Sequence, residues 1–286
     1  MTEVITHRGP DSEGYYLGEN AGLGLRRLSI IDLEPGPQPI SNEDRSLWIG
    51  YNGEVYNYLE LRADLKARGP VLRTRSDTET IVHLYEEYGP RCLEHLNGMF
   101  AFAIWDVRRR ELFLARDRLG IKPLFYAQTP SRFLFGSELK CLLQAGLSRE
   151  PDYTAIHDYL SLFYVPTPRT AFQEARKLAP GHWMRVHSDG RVEMERYWDI
   201  PFPQEAPVIG REQARFGTIQ RSARGYAKGD REEGGTRQDW GSRQDSGTRQ
   251  DCVAHIRYLL RDSVRRQLRC DVPLGVFLCG GLDSTS

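Results

Sequence analysis

The chain carries no excess of charge of either sign. Lysine and arginine together number 39, as do aspartate and glutamate, so the formal net charge at pH 7 is +0. Without a net positive charge, no global field favours nucleic acid or an anionic membrane surface. We therefore expect neither nucleic acid nor a membrane as a partner.

Long apolar runs and paired cysteines are also missing. No run reaches the roughly 18 residues that a membrane-spanning helix requires, and Met1 is followed by Thr-Glu-Val instead of a basic and then apolar leader. The five cysteines are odd in number and form no Cys-x-x-Cys pair, which argues against a disulfide framework and against a zinc site. These absences predict a cytoplasmic protein with reduced thiols and no metal ligands of its own.

Leucine disappears from one stretch of the chain. Residues 203–251 contain no Leu and a single Val, Val208, but are rich in Gly, Arg, Gln and Asp. Three hexads that share Arg-Gln-Asp follow one another at 235–240, 241–246 and 247–252. A hexapeptide period can form a β-helix only with an apolar position in every turn, and here the variable position holds Trp, Ser and Cys. We therefore predict a disordered low-complexity insert over residues 203–251.

The chain before the insert is dense in predicted secondary structure. Helical patterns cover residues 58–66 and 77–88, the second with Ser76 and Asp77 as capping candidates. Residues 179–186 and 191–197 predict a β-hairpin around Ser-Asp-Gly. Short β-rich runs occur at 14–17, 22–26, 47–51, 100–105, 112–115, 124–126 and 133–135. Strands with inserted helices predict a layered α+β domain over residues 1–200.

A second domain is predicted after the insert, over residues 252–286. Apolar residues between Val253 and Leu268 follow a helical stripe, and residues 272–278 have the composition of a buried strand. That strand runs into Gly280 and Gly281. A helix, a strand and a Gly-rich turn are the usual beginning of an α/β nucleotide-binding domain.

The Gly-Gly turn has the features of a phosphate-binding loop. Gly280 and Gly281 let main-chain N–H groups approach a phosphate, and Asp283 and Ser284 stand where the next helix would begin. The segment is similar to the PP-motif, Ser-Gly-Gly-x-Asp-Ser, of the ATP-pyrophosphatase (adenylating) superfamily. Cys279 replaces its first Ser, which removes a good hydroxyl donor. A plain turn is the alternative.

Seven short segments of the first domain carry candidate chemistry, and each also has a plain structural explanation. Asn52-Gly53 could form a hairpin turn, Ser76-Asp77 could cap a helix, and Arg27 could be a surface arginine. The segments are His-Arg-Gly-Pro-Asp at 7–11, Arg-Leu-Ser-Ile-Ile-Asp at 27–32, Tyr-Asn-Gly-Glu-Val-Tyr-Asn at 51–57, Ser-Asp-Thr-Glu at 76–79, Asn-Gly-Met-Phe-Ala-Phe-Ala at 97–103, Arg-Asp-Arg-Leu-Gly-Ile-Lys-Pro-Leu at 116–124 and Ser-Glu-Leu-Lys at 137–140.

In this order and spacing, the segments closely resemble the glutamine amidotransferase domain of glutamine-hydrolysing asparagine synthetases. The resemblance covers residues 1–202 and resumes at 251–286 with the PP-motif. It implies an N-terminal-nucleophile-type four-layer α/β/β/α glutaminase domain, with its first strand missing, and then the first helix and strand of an α/β PP-loop domain. It implies asparagine biosynthesis from glutamine, aspartate and ATP with Mg²⁺, and it is compatible with a homodimer of the intact enzyme.

The resemblance also implies roles for particular residues. Arg27 would bind the α-carboxylate of glutamine through its planar guanidinium. Asp77 would meet the α-ammonium, and Glu54 would add hydrogen bonds nearby. Asn52 and the N–H of Gly53 would form an oxyanion hole. The implied glutamine-binding set is Arg27, Ile30, Asn52, Gly53, Glu54 and Asp77, and the implied ATP-binding set is Leu278, Gly280, Gly281, Asp283 and Ser284.

The nucleophile of this family is an N-terminal cysteine whose own α-amine acts as the base. No cysteine precedes His7, and both ends of the chain resemble the interior of a domain. We therefore expect a chain cut at both ends, with no catalytic nucleophile and no glutaminase activity of its own. Thr2, exposed by loss of Met1, is a poor substitute. It lies too few residues before His7, since a chain extends at most ~3.6 Å per residue.

Three functions stay open at this point. The first is asparagine synthesis, or amide synthesis of the same family on a different acceptor, whose pocket lies outside these residues. The second is a catalytically inactive protein that binds glutamine or acts as a scaffold. The third is another amidotransferase, such as those that make phosphoribosylamine or glucosamine phosphate, and the PP-motif argues against it.

Overall fold

The structure, a computed structural model, describes residues 1–28, 38–70, 72–200, 249–273 and 275. The chain divides into two compact units, Met1–Asp199 with Arg266–Ser286, and Ile200–Arg265. Residues 203–248 of the predicted insert lie outside the described residues. Of the predicted strand at 272–278, residues 272, 273 and 275 are described, and these three are not in a strand.

The first unit contains eleven strands within its described residues. In chain order they are β1 Ser12–Leu17, β2 Gly22–Arg27, β3 Ile40–Ser41, β4 Leu47–Val55, β5 Gly98–Asp106, β6 Glu111–Arg116, β7 Phe125–Gln128, β8 Phe133–Gly136, β9 Arg176–Lys177, β10 His182–Val186 and β11 Val192–Arg196.

These strands form one large sheet and two small ones. The large sheet has six antiparallel strands in the order β11-β10-β6-β5-β4-β3. Strands β1 and β2 pair with each other, and the third sheet has the order β8-β7-β9. The longest pairing joins β4 to β5 and runs from Leu47 opposite Asp106 to Val55 opposite Gly98.

The described residues include six α-helices and two 3-10 helices. The α-helices are α1 Tyr58–Arg68, α2 Asp77–Tyr88, α3 Cys92–His95, α4 Leu139–Gln144, α5 Tyr153–Leu162 and α6 Arg249–Gln267, and the 3-10 helices are Glu3–Arg8 and Gly89–Arg91. Within the part of the chain that the structure describes, no helix is both long and apolar enough to cross a membrane. The three cysteines with described side chains, Cys92, Cys141 and Cys270, are free thiols.

The two faces of the six-stranded sheet carry different side chains, because successive residues of a strand point to opposite faces. On β5, Phe100, Phe102 and Ile104 are buried in a cluster that includes the apolar residues of α1 and α2. The alternate residues Ala101 and Ala103 belong to a second cluster, with residues of β2, β7 and β8. A third cluster joins the sheet of β7 and β8 to α4. The layers are therefore helix, sheet, sheet and helix, which confirms the predicted four-layer α+β fold.

Local sequence signals account for a helix and a hairpin that the sequence predicts in the first unit. Helix α2 begins at Asp77 as predicted, and the Oγ of Ser76 accepts the N–H of Thr78 at 3.1 Å. Strands β10 and β11 form the predicted antiparallel hairpin, with Gly190 at φ +84° in its turn. Helices α4 and α5 are not predicted from the sequence. Helix α4 has only six residues, and α5 buries only Ala155 although Tyr153, Ile156 and Leu160 recur at helical spacing.

Asp117 is the hydrogen-bond centre of the loop that follows β6. Its side chain is buried, with 1% of the residue exposed. Its carboxylate oxygens accept the main-chain N–H groups of Phe100 at 3.2 Å, Leu119 at 3.1 Å, Ile121 at 2.9 Å and Lys122 at 3.0 Å. The side chain of Asp117 therefore joins the loop to Phe100 of β5 and holds the main chain of the loop in place as far as Lys122.

We expect Asp117→Ala to lower the free energy of unfolding by about 3 kcal/mol or more, because it leaves buried N–H groups without their acceptor. Urea unfolding measures the change. The matched control is Asp189→Ala, which removes an exposed carboxylate that accepts one N–H, that of Arg191. Equal effects of the two substitutions would contradict the role given to Asp117.

Candidate functional site

A cavity of about 560 Å³ is lined by residues of β2, β4, β8 and the start of α2. All the described residues that were predicted to bind glutamine lie in its wall: Arg27, Asn52, Gly53, Glu54 and Asp77. Ile30 lies outside the described residues, as do Leu278, Gly280, Gly281, Asp283 and Ser284 of the predicted ATP site. Residues that are far apart in the sequence therefore meet at one cavity.

Asp77 places a buried carboxylate in this wall. The residue is 5% exposed, and its Oδ2 accepts the hydroxyl of Tyr51 at 2.7 Å and the N–H of Val55 at 3.0 Å. Burial raises the pKa of the Asp77 carboxyl above its ordinary value, and the bonds from Val55, Tyr51, Thr78 and Ser76 oppose that rise. The side chain thus joins α2 to β4 through one oxygen.

Asn52 and Gly53 lie inside β4, so the hairpin-turn alternative for this pair is wrong. In an antiparallel strand, alternate residues direct their N–H groups to the same edge. The N–H of Val55 leaves β4 for Asp77, and Gly53, two residues earlier, faces the same way. Strand β3 pairs with β4 only at Ile49 and Trp48. The main chain of Gly53 is therefore turned to an edge that β3 does not cover.

Only glycine fits at position 53 in this backbone. A Cβ there would lie 2.2 Å from the carbonyl oxygen of Met99 and 2.7 Å from the Cα of Phe100. Both are main-chain atoms of β5, which is held on its other side by β6. Glycine at position 53 is thus required by a close approach of two strands.

Groups of both signs share the cavity wall. Burial raises the pKa of the Glu54 carboxyl, the positive charge of Lys122 opposes this, and the negative charge of Asp77 adds to it. Arg27 lies at the end of β2 and is half-buried. The wall therefore offers two carboxylates, from Glu54 and Asp77, together with the cations of Arg27 and Lys122.

Thr2 also lines the cavity, although its spacing from His7 led us to expect that it would not take the place of the nucleophile. The 3-10 helix Glu3–Arg8 folds beside β2, and the Oγ1 of Thr2 lies 2.8 Å from the hydroxyl oxygen of Tyr15. The number of residues between Thr2 and His7 limits how far apart they can lie, but it does not determine where Thr2 lies relative to the cavity. The hydroxyl of Thr2 is engaged with Tyr15, and Met1 precedes it, so this placement does not make Thr2 a nucleophile.

Cys141 is the cavity-lining cysteine among the described residues. It is 2% exposed, and burial raises the pKa of its thiol. A thiol that is buried and protonated is a poor nucleophile, and an internal residue has no free α-amine.

Two contributors to this wall were not predicted from the sequence. Tyr51 positions Asp77, and Lys122 acts on the charge of Glu54. Both lie in segments already noted for their motifs, at 51–57 and 116–124. Neither residue type indicates a functional site by itself, because tyrosines in strands and lysines in loops are common in any fold.

Comparison with protein families matches residues 1–198 to the glutamine amidotransferase domain and residues 255–286 to asparagine synthase. The chain is 38% identical to asparagine synthetase [glutamine-hydrolyzing] 1 of Bacillus subtilis (strain 168), over 100% of the chain and 39% of that protein. It is 33% identical to amidase chry2 of Gibberella zeae, over 99% of the chain and 37% of that protein. The chain thus spans about two-fifths of the length of these curated relatives.

Among solved structures, the chain is similar to the glutamine phosphoribosylpyrophosphate amidotransferase of Bacillus subtilis complexed with ADP and GMP. The two share 21% sequence identity with a TM-score of 0.46, over 62% of this chain and 35% of the other. A likeness at this level adds nothing to the four-layer arrangement already seen in the packing.

We expect Asp77→Asn to raise stability relative to the parent chain, and the difference to grow with pH. The folded-state pKa of Asp77 lies above its ordinary value of 3.8, so the parent loses stability as pH rises from the unfolded pKa through the folded one. The amide carries no charge and its oxygen can still accept from Tyr51 and Val55. Urea midpoints between pH 3 and pH 8 measure this difference.

Asp152→Asn is the matched control, since Asp152 also stands at a helix start but is partly exposed. A difference for Asp77→Asn that shrinks with rising pH would contradict the burial argument.

Proposed function

Since this chain belongs to the family of glutamine amidotransferase domains, we propose that it forms the glutamine-binding part of a glutamine-hydrolysing asparagine synthetase. The observation that carries the proposal is the convergence of Arg27, Asn52, Gly53, Glu54 and Asp77 on one cavity. Its volume of about 560 Å³ lies within the ~300–1,000 Å³ typical of small-molecule sites.

The charges of the wall suit a free amino acid. A zwitterion needs a cation for its α-carboxylate and an anion for its α-ammonium. We assign Arg27 to the carboxylate, because a guanidinium can donate two parallel bonds to it. Asp77 takes the ammonium, with Glu54 close by. The Oδ2 of Asp77 is already used by Tyr51 and Val55, and Oδ1 accepts a long bond from the hydroxyl of Ser76 at 3.4 Å, so we assign Oδ1 to the ligand.

The uncovered edge of β4 suits the developing negative charge of amide hydrolysis. When a nucleophile attacks the side-chain amide of glutamine, the carbonyl oxygen becomes an oxyanion. The N–H of Gly53 and the side-chain amide of Asn52 are the donors that we assign to it. Loss of one such donor costs about 2.7–4 kcal/mol of the activation barrier in other hydrolases.

Hydrolysis further requires a nucleophile, which these residues do not supply. The cysteines of the sequence, at 92, 141, 252, 270 and 279, are all internal. We therefore propose that the 286-residue chain binds glutamine without releasing ammonia. Full activity would need a segment that begins with cysteine and brings its thiol and α-amine to the Gly53 edge.

Aspartate and ATP chemistry belongs to the proposal through the C-terminal match at residues 255–286. Leu278, Gly280, Gly281, Asp283 and Ser284 would hold ATP, and Mg²⁺ would accompany its phosphates. A homodimer and a cytoplasmic setting are likewise proposals for the whole enzyme, as are domain limits at 1–200, 203–251 and 252–286. The similarity to amidase chry2 keeps a different amide acceptor open.

A second function, glutamine binding without catalysis at any stage, shares the same cavity. It is favoured by the buried, protonated state of Cys141, the cavity-lining thiol of the described residues. The two proposals agree on glutamine binding and differ on ammonia release once a nucleophile is present.

We expect glutamine to bind to the chain, and Arg27→Ala to weaken this binding by roughly 10- to 150-fold, as loss of about 1.5–3 kcal/mol of charge-assisted hydrogen bonding implies. Isothermal titration calorimetry measures both. Arg91→Ala is the matched control, because Arg91 is exposed in the 3-10 helix Gly89–Arg91 and does not line the cavity. Glutamine binding that survives Arg27→Ala unchanged would remove the carboxylate assignment.

We expect glutaminase activity after a family-like segment that starts with cysteine is joined ahead of residue 1. Ammonia release from glutamine is the readout, and the same segment starting with alanine is the control. Arg27→Ala in the active fusion should abolish the release at low glutamine concentration. A fusion that folds and binds glutamine but releases no ammonia would support the non-catalytic function instead.

A further inference from the structure

Three side chains of the kinds that bind metal ions lie close together beside α2, and none of them lines the cavity. They are His83 and Glu86, one turn apart on α2, and Glu43 from the turn between β3 and β4. Their candidate ligand atoms all lie within 4.8 Å of one another. The two carboxylate side chains are 37% and 43% exposed, whereas the His83 side chain is 1% exposed.

The buried imidazole points into this group without a hydrogen bond. Nδ1 of His83 is shielded from solvent and has no hydrogen-bond partner among the described residues. Its near neighbours are Oε2 of Glu86 at 3.4 Å and Oε2 of Glu43 at 3.7 Å. These oxygens are close enough for electrostatic attraction but do not meet the geometry of a bond. A buried nitrogen of this kind is uncommon, because an unsatisfied polar atom is costly.

Two of the three distances between ligand atoms match those around a shared cation, and the third, between the two carboxylates, is at most 4.8 Å. Ligand atoms about 2.1 Å from a zinc ion, at a tetrahedral angle, lie about 3.4 Å from each other. The Nδ1–Oε2 distances of 3.4 and 3.7 Å match that figure. The cation would supply the partner that Nδ1 lacks, and two carboxylates would balance its double charge.

A neighbouring side chain holds one of the ligands in place. Asn42 is 1% exposed, and its Nδ2 donates to Oε1 of Glu86 at 3.0 Å and to Oγ of Ser46 at 3.0 Å. Its Oδ1 accepts the N–H of Leu47 at 3.0 Å. With Oε1 engaged, Oε2 of Glu86 is directed at His83. Hydrogen bonds of this kind commonly orient metal-binding carboxylates.

We propose that His83, Glu43 and Glu86 form a binding site for a zinc-type divalent cation, with its fourth position open to solvent. An imidazole with two carboxylates is a ligand set that zinc accepts. The bound ion fastens α2 to the turn that leads into β4. Because Asp77 begins α2 and Asn52 and Gly53 lie in β4, the site braces the two elements that form one wall of the cavity. It adds a metal site where the sequence alone predicts none.

Zinc titration of the whole chain tests the site. After dialysis against EDTA and then against metal-free buffer, calorimetry with Zn²⁺ is expected to give one tight site. Glu43→Gln and Glu86→Gln are each expected to weaken it at least 10-fold. Both substitutions are on exposed side chains, so the fold should survive. The matched control is Glu87→Gln, which lies beside Glu86 but pairs with Arg68 and should bind Zn²⁺ like the parent.

A second readout separates this site from adventitious binding by thiols. Co²⁺ bound by nitrogen and oxygen gives visible absorption without the sulfur-to-metal charge-transfer band of a cysteine site. His83→Gln should remove the Co²⁺ spectrum, and Zn²⁺ should raise the thermal midpoint of the parent but not of Glu43→Gln. The proposal is overturned if Zn²⁺ does not bind, or if it binds equally to all the variants. In that outcome the three residues are a cluster of neighbouring polar side chains that holds no metal ion.

Discussion

The burial of one carboxylate, that of Asp77, governs how the helical layer meets the central sheet. Its Oδ2 accepts from the Tyr51 hydroxyl and the Val55 N–H, so the start of α2 is fixed to the edge of β4. Burying the charge is unfavourable, as the raised pKa of this carboxyl indicates. A residue that serves packing alone would not need a charge here. The same group that joins helix to strand is also one of the two carboxylates of the cavity wall, Glu54 and Asp77.

Strand β4 contributes Asn52, Gly53 and Glu54 to the cavity wall, and their directions follow from how antiparallel strands alternate. Its side chains divide between two faces, and its N–H groups divide between two edges. The short β3 does not reach the second half of one edge, where Gly53 lies. The close approach of β5 excludes a side chain at position 53. Main-chain donors, which are fixed by the sheet, are well suited to stabilise a developing charge because they need little reorganisation.

The loop after β6 shows how the fold places a cation at the site without packing it in the core. Asp117 gathers the N–H groups of the loop, and Arg116 donates to the carbonyls of Lys122, Leu178 and Gly120. Gly120 adopts φ +69°, a conformation that favours glycine. The motif at 116–124 is therefore largely a scaffold for a turn. Lys122 is the member of the motif that acts on the cavity, through Glu54.

The sequence by itself determined those features that depend on local chemistry. Ser76 caps α2 because a hydroxyl at that position satisfies a free N–H, and the continuous apolar run at 100–105 predicts a strand whose six residues the structure buries. The ordered motifs also identify the family. Only the tertiary structure decided that Asn52-Gly53 lies within a strand, that Thr2 reaches the cavity, and that Glu43 meets His83. Each depends on contacts between residues distant in sequence, where β5, the folded-back 3-10 helix or the turn before β4 supplies the partner. Local propensity contains no information about such partners, because the energy that fixes them comes from packing across layers.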